Sequence, residues 1–171
     1  MKRMKRFLLA CLLPCAAFAQ APTPATTALP SLAPCEAGQD SPCVLLATKL
    51  ADIVGVWRQY QHNPAFAPVG NMGFIRFNPD GSFMLADTLA HTAAPRAPFP
   101  FGSVRFEGNR MTFNARGVPP TMPECARAVY EVRVLRLGAR PVGMQYTPVE
   151  DTCRPRLADL NYVLPYVGPV P

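Results

Sequence analysis

The chain has 171 residues and a formal net charge of +6. Four of its 17 basic residues precede Ala19 and no acidic residue does, which leaves 13 against 11 acidic, a net of +2, for the remainder. That near-neutrality argues against counterion-driven nucleic-acid binding, and no apolar stretch is long enough to span a membrane as a helix.

Residues 1–19 read as an export signal. Lys2, Arg3, Lys5 and Arg6 form a basic head, Phe7 to Phe18 an apolar middle broken by Pro14, and Ala17-Phe18-Ala19 a cleavage box. The expected compartment is therefore the periplasm or the exterior. Leu8-Leu9-Ala10-Cys11 resembles a lipoprotein cleavage box, but cutting there leaves only four apolar residues ahead of the cysteine, so cleavage after Ala19 is preferred. Residues 20–40 are rich in Pro, Ala and Thr and read as a tether. Residues 41–166 form the expected domain, and 167–171 a tail.

Within the domain, Ser41 and Pro42 suit a helix start, Leu46, Leu50 and Ile53 recur at helical spacing, and Gly55 suits a helix end. A short helix over 41–54 is expected. Strands follow at 56–62, 71–77 and 82–89, the last two joined through Asn78-Pro79-Asp80-Gly81. Further strands at 101–106 and 110–114 flank Glu107-Gly108-Asn109, and strands at 128–137 and 140–147 flank Gly138-Ala139. A short helix at 156–160 and a closing strand at 161–166 complete the pattern.

Apolar and polar residues alternate through these segments. Tyr130, Val132 and Val134 share one face, and Val142, Met144 and Tyr146 another. Consecutive hairpins with one dry face build an antiparallel meander, and closing it into a barrel removes its exposed edges. The fold class expected is all-β, a small antiparallel up-and-down barrel.

Cys11 and Cys15 fall in the signal, so Cys35, Cys43, Cys125 and Cys153 remain. An even number in an exported chain favours disulfides over a metal site, and the cysteines lack zinc-type spacing. Four cysteines allow three pairings. Cys35–Cys43 with Cys125–Cys153 is preferred, and the alternatives stay open.

A helical turn entering Gly55-Val56-Trp57, the hairpins Phe77-Asn78-Pro79-Asp80-Gly81-Ser82-Phe83 and Phe106-Glu107-Gly108-Asn109, and Tyr130-Glu131-Val132 through Asp151-Thr152-Cys153-Arg154-Pro155-Arg156 together resemble small bacterial lipocalin-like (calycin-type) barrels. The resemblance covers about residues 50–160, and the T-D-Y-like motif of larger lipocalins is missing from it. It implies a barrel with a possible cavity and no fixed chemistry. It also implies that Gly55 and Trp57 close one end, with Arg156, or alternatively Arg154, covering the tryptophan face. Asp151 is expected to pair with Arg154 or Arg156.

The candidate ligand-lining residues are Trp57, Phe74, Phe83, Phe106, Tyr130 and Tyr146, with Phe113 and Met144 beside them; such residues also simply fill small barrels. Arg76, Arg105 and Arg133 are expected to face outward. His62 and His91 lack a spaced partner, so neither a metal nor a cofactor is assigned. No nucleophile elbow, phosphate loop or dinucleotide fingerprint occurs, which leaves no catalytic residue to name. The function expected is enclosure of a small hydrophobic or amphipathic molecule, for which a drug-sized ligand needs roughly 300 Å³ or more. A protein partner held by the loop 90–100, with Phe99 and Phe101 as an apolar patch, is the first alternative. A small cavity enzyme is the second.

Overall fold

The computed structural model describes residues 32–60, 72–160 and 162–170. The expected signal, most of the tether and His62 lie outside them. Among the described residues nine strands form one antiparallel sheet: β1 (Pro42–Leu46), β2 (Gly55–Tyr60), β3 (Met72–Phe77), β4 (Ser82–Ala86), β5 (Phe101–Glu107), β6 (Arg110–Arg116), β7 (Arg127–Leu137), β8 (Arg140–Glu150) and β9 (Leu164–Gly168). A single α-helix among the described residues, α1 (Arg154–Asp159), joins β8 to β9. Strands β2 to β9 follow one another around a ring, and β9 closes it by pairing with both β8 and β2. The chain is therefore a closed eight-stranded antiparallel barrel, consistent with a calycin-like architecture, with β1 added outside the ring.

The expected N-terminal helix is replaced by β1 and a single 3-10 turn at Leu50–Asp52. The reason is the length of β7. Its first half, to Glu131, pairs with β6, and its second half, Arg133 to Leu137, has no β6 left beside it. Residues 42–46 fill that gap, with Leu46 opposite Arg133 and Pro42 opposite Leu137. A proline is tolerated at the first residue of a strand, and sheet hydrogen bonds outweigh a weak helical spacing. The helical signal survives only at the turn, where Asp52 Oδ2 accepts from the Thr48 and Lys49 amides at 3.0 and 3.2 Å.

Alternation places one face of each strand on the axis. Trp57, Ile75, Phe77, Phe83, Met111, Val132, Val134, Met144 and Leu164 are all 2% exposed or less and form one cluster. Each contributes roughly 1.5–3 kcal/mol on burial. The barrel around these residues is thus a packed interior rather than a hollow. Arg105 and Arg133 point to solvent, and Arg76 donates from Nε to Asn78 Oδ1 at 2.6 Å on the outer face.

The two disulfides are Cys35–Cys43 and Cys125–Cys153. The first pins the incoming chain beside β1, where the Val44 amide donates to the Ala33 carbonyl at 3.0 Å. The second ties the entry of β7 to the exit of β8. The bridges span 8 and 28 residues. In the chain-entropy description they contribute about 2.5 and about 3.5 kcal/mol respectively. Replacing each pair by serines and following guanidinium unfolding should therefore show the larger loss for Cys125–Cys153.

Closure at β2 depends on Gly55. Its φ is +142°, and a Cβ there would lie 2.6 Å from the Tyr166 ring and 3.1 Å from the Gly168 carbonyl oxygen. Gly55→Ala is expected to lower unfolding free energy by at least about 1–3 kcal/mol through backbone strain alone, read as a fall in the urea midpoint.

Candidate binding site at the barrel mouth

An up-and-down barrel has two rims. At one, β2 begins and β3 and β9 end; at the other, β2 ends, β3 begins, and α1 leaves β8. The first rim is plugged. Trp57 is fully buried there, its Nε1–H donates to the Ile53 carbonyl at 2.9 Å, and the Tyr166 ring meets it edge-on at 5.0 Å. The 3-10 turn thereby becomes a stopper held by the tryptophan.

The second rim holds a cavity of about 100 Å³, partly open to solvent. Gln59, Ile75, Leu85 and Ala115 supply strand walls. Val118, Pro119 and Met122, from the β6–β7 connection, form one lip, and Pro155 and Leu160 of the α1 region form the other. The Cys125–Cys153 bridge lies in the wall between the lips. The floor is aromatic: Phe113, stacked on Phe83 at 4.0 Å, leads to Tyr130, whose ring lies 5.2 Å from that of Tyr146.

Arg156 fastens the helix over this rim, and each of its three nitrogens donates to the protein. Nε and one terminal nitrogen grip the two oxygens of Asp151 at 2.8 and 2.7 Å. The other nitrogen donates to the Cys125 carbonyl at 2.7 Å, and a longer bond reaches the Arg127 carbonyl. Asp151 also accepts from the Tyr130 hydroxyl and, at 2.9 Å, from the Cys153 amide. The guanidinium lies over Phe113, 5.6 Å from its ring centre. The pairing of Asp151 with Arg156 follows the sequence expectation. The stacking of Arg156 on Trp57 does not occur: Tyr166 takes that place, and Arg156 serves the opposite rim.

These contacts set the ionisation. Burial raises the Asp151 carboxyl, but the Arg156 bonds, the Tyr130 hydroxyl and the Cys153 amide outweigh it and hold the carboxyl below its ordinary value. Burial pushes the Tyr130 and Tyr146 hydroxyls well above theirs, so both are neutral throughout the physiological range.

Of the six aromatic residues expected to touch ligand, Tyr130 and Tyr146 line the cavity. Trp57 and Phe83 belong to the packed interior below it, and Phe106 packs half-buried against the same interior. Phe74 stands on the outer face of β3 with the Arg58 guanidinium 5.7 Å from its ring centre, outside the cavity. Gln59, Met122 and the small Ala115 were not singled out from sequence. Gln59 shares the inward parity of Trp57, the one signal that could have found it; Met122 reaches the site only through the loop's path.

Of the two phenylalanines expected to form an apolar patch at the loop 90–100, Phe99 is buried and Phe101 half-buried. Phe99 is 6% exposed, tucked in by its amide's bond to the Arg96 carbonyl at 2.9 Å. His91 bridges Asp87, at 2.7 Å from Nδ1, and Arg96. Among the described residues no group of three His, Cys, Asp or Glu could hold a metal ion, and no helix is long and apolar enough to cross a membrane.

Comparison of the chain with protein-family models, curated proteins and solved structures finds no match. The calycin-like character of the barrel therefore rests on its strand order and closure.

The Asp151 clasp gives stability a defined pH dependence. Because the folded carboxyl titrates below its unfolded value, its contribution is complete above about pH 5 and is lost as pH falls through the folded value, below about pH 4. Asp151→Asn should flatten this acid limb in urea titrations. It should also cost about 3 kcal/mol at neutral pH, because it leaves Arg156, only 15% exposed, without its counter-charge.

Proposed function

We propose that this is an exported, lipocalin-like barrel that binds a small apolar or amphipathic molecule at its α1 rim. The supporting observation is the mouth cavity: apolar walls around an aromatic floor, at the end of the cylinder opposite the Trp57 stopper. Removal of ligand surface from water would supply the affinity. At about 100 Å³ the cavity takes a molecule of one small ring, or the end of a longer one, and not a drug-sized ligand. The two disulfides support an oxidising compartment outside the cytosol, periplasmic or extracellular.

A filled interior also suits a protein-interaction module. The buried state of Phe99 weakens the loop proposed as its contact surface, so ligand binding is the preferred reading.

Amide chemical-shift mapping with toluene as probe tests the reading. The expected result is saturable shifts clustered at Ile75, Leu85, Met122 and Leu160, with Trp57 and Val134 unmoved. Shifts scattered over the outer face, or none at millimolar toluene, would overturn it.

A further inference from the structure

The cavity holds two kinds of polar group, and they differ in whether they have anything left to offer. Among the described residues Arg156 is the one charged residue in its lining, and its nitrogens are committed to Asp151 and to the carbonyls of Cys125 and Arg127. Its charge is balanced at contact distance by a carboxylate that also holds the Tyr130 hydroxyl. The rim thus presents a charge-balanced ion pair, with no net charge to attract an anion or a cation.

Tyr146 and Gln59 are the opposite case. Tyr146 is 7% exposed, and its hydroxyl has no hydrogen-bond partner among the described residues, although the neighbouring Tyr130 satisfies its own on Asp151. The Gln59 side-chain oxygen is buried and likewise without a partner among the described residues. Both residues line the same cavity, Gln59 from the end of β2 and Tyr146 from β8. Buried polar atoms are nearly always paired, and an unpaired one is costly. Both belong to residues that line one apolar cavity, and each has bonding capacity that the described residues leave unused.

We infer that the cavity selects an uncharged, one-ring or short-chain molecule bearing a single hydroxyl or amide group, which hydrogen-bonds to Tyr146 Oη and Gln59 Oε1 while its apolar body lies against Ile75, Leu85 and Met122. A hydroxyl suits the pair because it donates to the Gln59 oxygen and accepts from the Tyr146 hydroxyl, two roles one oxygen performs at once. An ionised carboxylate or ammonium of the same size is excluded, since it would shed its hydration and find no free counter-charge. The inference rests on the mouth cavity being a binding site and adds its ligand chemistry.

The test compares phenol, toluene, benzoate and benzylammonium by shift titration against the wild-type protein and the variants Tyr146→Phe and Gln59→Leu. Phenol is expected to bind about three- to tenfold more tightly than toluene, the equivalent of one net hydrogen bond. Both ions are expected to bind at least about tenfold more weakly than phenol. In either variant the advantage of phenol should disappear while toluene binding persists, and persistence of toluene binding shows that the fold and cavity are intact. Tyr146→Phe should also raise the thermal midpoint of the ligand-free protein, because it removes a buried hydroxyl that has no partner. Equal binding of phenol and toluene, unchanged phenol preference in both variants, or benzoate binding as tight as phenol would overturn the inference and leave the binding reading intact. Absence of all four probes from the cavity would overturn the binding reading itself.

Discussion

The fold depends on closing the gap between β2 and β8. Seven consecutive strands form a curved meander in which each pairs with the next along the chain, but its outer edges stay unpaired until β9 enters between them. The seam is short: two residue pairs join β9 to β8, and two join it to β2. Such a seam holds only if β9 is delivered in the right place. Three features deliver it. The Cys125–Cys153 bridge and the Arg156–Asp151 clasp hold α1 against the rim from which β9 departs, and Gly55 lets Tyr166 approach the backbone of β2. Closure then removes the exposed edges that would otherwise invite pairing with other chains.

The same arrangement explains why the cavity sits at one end. Large side chains on the axis fill the barrel from the Trp57 stopper upward, as expected for a barrel of eight strands. At the far rim the strands give way to a proline-bearing loop and a helix two turns long. The space that remains is bounded by the elements that secure closure, so the stability of the seam and the shape of the cavity share residues. Tyr130 and Arg156 illustrate this: each lines the cavity, and each is tied to Asp151.

That sharing divides the polar groups of the rim into two sets. Asp151, Arg156 and the Tyr130 hydroxyl satisfy one another and hold the wall. The Tyr146 hydroxyl and the Gln59 oxygen lie outside that network. A wall built from a closed ion pair stays rigid and electrically quiet, which leaves recognition to the uncommitted groups.

Much of the barrel was legible in the chain. The period-two alternation, the Asn78-Pro79-Asp80-Gly81 turn and the other two glycine hairpins located strands β2 to β8 within a few residues, because side-chain parity and turn chemistry are local properties. The cysteine pairing preferred from spacing is the one present. Three things were decided only by tertiary structure. Residues 42–46 became a strand because β7 outruns β6, a fact about a partner more than 80 residues away. Arg156 settled over Phe113 instead of Trp57 because α1 crosses the rim opposite the stopper. The cavity gathers Gln59, Met122 and Leu160 because ring closure brings the ends of β2, the β6–β7 loop and α1 to one rim, and no spacing along the chain encodes that meeting.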